Sequence, residues 1–71
     1  MSTGIIKSRG ERVRAYRTKK GWTQFDLAVR SGISPATISR IEGGIIGQPI
    51  ESVVLALAEA LKVPAAKIRK S

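Results

Sequence analysis

An all-α fold, a compact bundle of five short helices, is predicted by three observations. Glycine and proline punctuate the chain at Gly21, Gly32, Pro35, Gly43-Gly44, Gly47, Pro49 and Pro64. The segments between them carry apolar residues mostly at helical spacing, with too little β-branched alternation for strands. Two of these segments also open with helix-start signals. The expected helices cover about residues 7–20, 24–31, 35–42, 50–62 and 64–69, in a single domain spanning 1–71.

In the first segment Ile6, Val13 and Tyr16 share one side at ~100° per residue. Arg17 falls on that same side, and a charged residue on a core face needs a partner. The second segment, TQFDLAVRSG, begins with Thr23 as N-cap and Asp26 three residues on, a capping-box pair. Trp22 before the cap can pack on Leu27 as a hydrophobic staple, and Gly32 ends the helix. The third segment repeats the device. Ser34 caps, Pro35 takes the first helical position, and Ile33 can staple to Ile38. Only Gly32 and Ile33 separate the second helix from the next cap, so the two form a tight helix–turn–helix.

A looser stretch, EGGIIGQP, follows. Ile50, Val53, Val54, Leu57, Ala58 and Leu61 then draw the stripe of an amphipathic fourth helix. Pro64 starts a last turn in which Ile68 is the apolar anchor.

Composition narrows the function. With 71 residues the core supplies roughly 3–5 kcal/mol of net stability, so compact helical packing or a partner chain is expected. Cysteine and histidine are both absent from the sequence, which removes disulfides, thiol chemistry and the usual zinc sites. No cofactor or metal is expected, and no enzyme. Only five carboxylates are present, and Glu42 and Asp26, the best placed, have structural work to do. No apolar run approaches the ~20 residues of a membrane span, and MSTGIIKSRG lacks a signal-peptide core. A cytoplasmic protein of prokaryotic or phage type, associated with the nucleoid, is the expectation.

The charge points to a polyanion. Thirteen Lys+Arg against five Asp+Glu give +8, with a pI near 11.0. Lys7, Arg9, Arg12, Arg14, Arg17, Lys19 and Lys20 crowd the first twenty residues, and Lys67, Arg69 and Lys70 close the chain. In a domain this small such an excess favours nucleic acid over membrane. The cations do not form one face of a single amphipathic helix, which argues against membrane disruption.

The third helix fits that partner. With Ile38 and Ile41 pointing inward, Ala36 and Arg40 point almost directly away, flanked by Thr37. The exposed ridge is therefore small, small, long and cationic. Pro35 and Ala36 let the backbone approach base edges, alanine and threonine methyls suit thymine, and Arg40 suits guanine O6 and N7. Glu42 lies ~40° from Ile38, toward the interior, and is the best available partner for Arg17. Removing it would strand a buried charge.

Residues 7 to 68 resemble the phage-repressor (Cro/cI, or Xre) helix-turn-helix family. The resemblance is carried by GWTQFDLAVRSGISPATISRIEGG and the later VVLALAEALKV run, with Gln24, Leu27, Ala28, Gly32, Ile33, Ile38 and Ile41 matching in class and spacing. It implies a lambda-repressor-like five-helix domain that binds palindromic operator DNA as a homodimer and regulates transcription, most often as a repressor. It further implies that Pro35, Ala36, Thr37 and Arg40 read bases. Thr23, Gln24, Ser34 and Gly43 would contact the DNA backbone, with Arg17 and Glu42 as the family's buried ion pair and Arg17 able to reach phosphate too.

The sequence departs from the family in the loop, where GGIIGQP carries no charge. Phosphate contacts there would rest on backbone N–H groups and Gln48, and affinity would lean on the basic first helix. Ile45 and Ile46 either tuck into the core, at least one of them, or form an apolar patch where the family dimerises. Leu55 is a weaker candidate for that surface. The alternative function is an antitoxin-like or restriction–modification controller protein that binds its own promoter and a protein partner. The end of the sequence at Ser71 weighs mildly against toxin binding, which usually takes surface beyond the DNA-binding core.

Overall fold

A computed structural model describes residues 8–69, which form five α-helices: α1 Arg9–Lys19, α2 Gln24–Ser31, α3 Pro35–Glu42, α4 Glu51–Leu61 and α5 Ala65–Arg69. Ile6, Lys7 and Lys70, named above, lie outside the described residues. No strand occurs among those described.

Helix α1 starts two residues later than expected because Ser8 caps it. The Ser8 hydroxyl accepts from the Glu11 N–H at 3.2 Å, and the Ser8 N–H donates to Glu11 Oε1 at 3.0 Å. This capping box satisfies two amides that the helix itself leaves unpaired. Helix α2 opens on the Thr23–Asp26 box: Asp26 N–H to Thr23 Oγ1 at 3.0 Å, and Thr23 N–H to Asp26 Oδ2 at 2.8 Å. Gly32 ends it in the left-handed region at φ 77°, its N–H bonded to Ala28 O. A side chain there would be strained, which is the reason for glycine. Ser34 then caps α3 through the Thr37 N–H at 3.1 Å.

The fourth helix differs from expectation at its start. Ile50 is the N-cap residue, makes no side-chain cap bond and is 69% exposed, so it stands off the apolar stripe. The stripe itself consists of Val54, Leu57, Ala58 and Leu61, all buried, with Val53 half-buried beside them. These meet Val13 of α1, Leu27 and Ala28 of α2, Ile38 and Ile41 of α3, and Ile68 of α5 in one core. Each helix alone buries little; the five together remove a continuous apolar surface from water. Arg69 clamps α5 to the start of α4 through Glu51, 3.1 Å from its Nε to Oε1. That pair is exposed and contributes little stability.

The packing of α1 on α3 follows from the expected Arg17–Glu42 pair, but their close approach at Gly10 was not foreseen. Gly10 is buried against α3, and a Cβ built on it would overlap the Ile41 carbonyl oxygen. Glycine at this position lets the two backbones touch, which sets the height of α3 relative to the first helix.

Candidate nucleic-acid interface

The two caps and the Gly32 turn hold α3 as an outward-facing bar on α2. Ile38 and Ile41 are fully buried beneath it, while Pro35, Ala36, Ser39 and Arg40 are exposed and Thr37 is half-buried. Ser39 belongs to this ridge, between the line of Ala36 and Arg40 and the flank occupied by Glu42. The sequence reading missed it, although its position on the helical wheel was available. The Ser34 hydroxyl is occupied at the cap and also donates to Thr37 Oγ1 at 2.9 Å.

A buried charge network sits behind the ridge. Arg17 Nε donates to Glu42 Oε2 at 2.7 Å and Nη2 to Oε1 at 2.8 Å, a bidentate pair linking α1 to α3. Arg17 Nη1 donates to the Trp22 carbonyl at 2.7 Å, and Gln24 Nε2 donates to Glu42 Oε1 at 3.0 Å. The hydrogen bonds to Glu42 hold the Arg17 guanidinium above its ordinary value, against the opposing effect of burial. The expectation that Arg17 also touches the DNA backbone does not fit this geometry. Its side chain is only 10% exposed, and all three guanidinium nitrogens donate within the protein. Gln24 remains half-buried at the start of α2, its amide oriented by Glu42. Thr23 is exposed, with its hydroxyl accepting at the cap.

The loop after α3 is folded back on the helix. The N–H groups of Gly43, Gly44, Ile45 and Ile46 donate to the carbonyls of Ser39, Ile41, Arg40 and Arg40 at 2.9–3.1 Å. These amides were expected to serve phosphate; they instead satisfy carbonyls that the end of α3 would leave unpaired. Gly43 and Gln48 are exposed. The two isoleucines separate: Ile46 packs against the core, whereas Ile45 is 79% exposed. Ile46 therefore leaves the set of apolar surface residues; the exposed large apolar residues are Phe25, Val29, Ile45, Ile50 and Leu55.

Three exposed cations, Arg14, Lys19 and Lys20, stand on α1 and its C-terminal end, and Arg30, Arg40, Lys62 and Lys67 are exposed on the rest of the described residues. Trp22 is not a simple staple. Its ring carries the Arg30 guanidinium at 4.4 Å and Lys20 Nζ at 5.3 Å from the centroid, two cation–π contacts at the start of α2. No helix of the described residues is long and apolar enough to cross a membrane.

Residues 10–70 match a family described as a helix-turn-helix domain. The chain is 48% identical over 59 residues to the HTH-type transcriptional repressor RghR of Bacillus subtilis, covering 83% of this chain and 44% of that protein. It is 47% identical over 55 residues to the HTH-type transcriptional regulator RghRB of the same organism, covering 78% and 40%. The chain thus spans less than half the length of these two relatives. Among solved structures it is similar to the restriction-modification controller protein C.AhdI of Aeromonas hydrophila, with a TM-score of 0.76 and 31% identity over 84% of this chain and 89% of that one. With the match running through all five helices and the turn geometry in place, the chain belongs to the helix-turn-helix domain family.

Proposed function

We propose that the chain is a sequence-specific double-stranded DNA-binding domain of a transcriptional repressor. The observation that carries this reading is the exposed ridge of α3. Small Ala36 and Ser39 and cationic Arg40 stand out from a helix whose other side is locked into the core by Ile38, Ile41 and Glu42. Such a helix can approach base edges closely while the caps and ion pair hold its orientation. Pro35, Ala36, Thr37 and Arg40 read bases, and Thr23, Gln24, Ser34 and Gln48 lie along the backbone, with Gly43 beside it but its N–H held by Ser39 O. The similarity to a named repressor supports the regulatory role.

The chain acts as a homodimer on a palindromic site, placing two copies of α3 one helical turn apart, ~34 Å. Ile45 at 79% and Leu55 at 49% exposure, with Ile50, supply apolar surface for the contact between copies. Sedimentation of the wild type with a palindromic duplex tests this: a 2:1 complex is expected, and a 1:1 complex at saturation excludes it.

In vitro selection on random ~30-base-pair duplexes tests the reading as a whole, with half-sites about ten base pairs apart expected. With six to eight phosphates engaged, log K falls against log salt with a slope of about −6. A slope near zero excludes the mechanism. A second reading, a controller protein of a restriction–modification system, is favoured by the likeness to C.AhdI over most of both chains. It predicts that the selected site recurs upstream of the chain's own gene, next to a restriction enzyme gene.

A further inference from the structure

A groove of about 590 Å³ opens between α2 and the second half of α4, lined by Trp22 and Arg30 from the first side and by Ala56, Glu59, Ala60 and Lys62 from the second. None of these residues belongs to α3 or its loop, and none is assigned to DNA above. Ala56 and Ala60, one turn apart and half-buried, keep the α4 side low and apolar, and half-buried Trp22 adds apolar surface. Arg30 lies over the Trp22 ring, 4.4 Å from its centroid, which orients the guanidinium and leaves its N–H edge for another partner. Asp26 feels the Arg30 charge, but its carboxylate is bonded to the Thr23 N–H at the cap. Lys62 ends α4 at φ 61°, a left-handed conformation that glycine adopts without strain. It puts a cation at the end of α4, where Gly32 ends α2 with none. Arg30 and Lys62 are exposed and enter no ion pair among the described residues.

We propose that this groove docks an acidic amphipathic helix of a partner protein, its carboxylates on Arg30 and Lys62 and its apolar side chains on Trp22, Ala56 and Ala60. The inference goes beyond the DNA-binding reading and does not depend on it. Apolar surface between two helices, flanked by cations, has the shape and charge that such a helix fits. Nucleic acid fits less well. Glu59 lines the groove, exposed and outside the ion pairs among the described residues, and it repels phosphate. A partner helix meets it with a lysine or a neutral donor. A second copy of the chain lacks the acid. Of its five carboxylates, Glu11 and Asp26 are bonded at helix caps, Glu42 to Arg17 and Glu51 to Arg69, which leaves Glu59. Two copies, each at +8, also repel one another. The occupant is therefore a different protein of opposite charge.

The test selects peptides of ~16 residues, about four helical turns, from a random library on the full chain. The enriched peptide is then titrated while the emission of Trp22, the sole tryptophan, is followed. Enriched peptides are expected to carry Asp or Glu and apolar residues at helical spacing, and to shift the Trp22 emission. Arg30→Gln and Lys62→Gly are each expected to weaken the peptide by about tenfold, as loss of one charged hydrogen bond requires. Lys62→Gly should melt no lower than wild type, since glycine suits the left-handed end of α4, so its loss of binding is not a loss of fold. Ala56→Gln fills the groove without changing charge and is expected to weaken the peptide as well. Lys67→Gln, on α5, is expected to leave it unchanged. If Ala56→Gln binds like wild type, or if Lys67→Gln weakens the peptide as much as Arg30→Gln does, net charge alone supplies the affinity and the proposal is overturned. It is also overturned if no acidic amphipathic peptide is enriched. The same holds if Lys62→Gly weakens a duplex of ~30 base pairs as much as it weakens the peptide, which would assign the groove to nucleic acid.

Discussion

Arg17 and Glu42, twenty-five residues apart, meet in a bidentate ion pair with N···O distances of 2.7 and 2.8 Å, and only 10% and 3% of their side chains reach solvent. The pair joins the first helix to the last turn of the third, and Gln24 joins it from the second. One buried contact therefore fixes the three helices that shape the proposed DNA-facing surface.

Glu42→Ala is expected to destabilise the fold by roughly 3–5 kcal/mol, because it leaves the Arg17 guanidinium buried without its counter-charge. Thermal or urea unfolding reads this directly, and a melting temperature within a few degrees of wild type would contradict it. The double replacement Arg17→Met with Glu42→Leu should recover much of the loss, since neither charge is then stranded.

Gly10→Ala should lower stability although alanine is the better helix former by about 1 kcal/mol. The added methyl meets the Ile41 carbonyl, a backbone atom that cannot rotate away. A net loss of roughly 1–3 kcal/mol is expected from the forced separation of α1 and α3. A gain in stability would show that the two helices part at no cost.

Asp26 gives the fold a dependence on pH. The Thr23 N–H, and then the Thr23 hydroxyl and Arg30, hold its carboxyl below the usual carboxylate value, outweighing partial desolvation. The folded chain thus binds this proton less tightly than the unfolded chain. The stability from this group is fully present above the unfolded value of about 3.9 and is lost as pH falls through the lower folded value. Asp26→Asn should melt lower than wild type at pH 7, with the gap closing as the pH falls below the unfolded value. An unchanged gap across that range would contradict the assignment.

Arg40→Ala should relax base preference at one position per half-site, by about 1–3 kcal/mol of discrimination against the wrong base. Repeating the selection with the variant checks it. An unchanged consensus would place Arg40 on phosphate instead.

Much of this molecule is legible in its residues taken in order. Thr23 with Asp26, and Ser34 with Pro35, announce two helix starts because capping is a contact between residues three apart. Ile38 and Ile41 on one side of the third helix, with Ala36 and Arg40 on the other, follow from helical geometry alone. The same arithmetic brings Arg17 and Glu42 toward the interior. Ile50 shows where the method fails. It continues the stripe of α4 by spacing, but as the cap residue it has left the helix and stands 69% exposed.

The sequence by itself determined the five helices, the caps of the second and third, the tight turn and most of the exposed ridge of α3, since all of these depend on residues within one or two helical turns. Only the tertiary structure decided that Gly10 lies under Ile41, that Arg17 is enclosed while Arg14 is left exposed, and that the loop amides turn back onto α3. Those outcomes depend on the distance and angle at which separate helices cross. The packing of the whole core sets them, and no local periodicity encodes them.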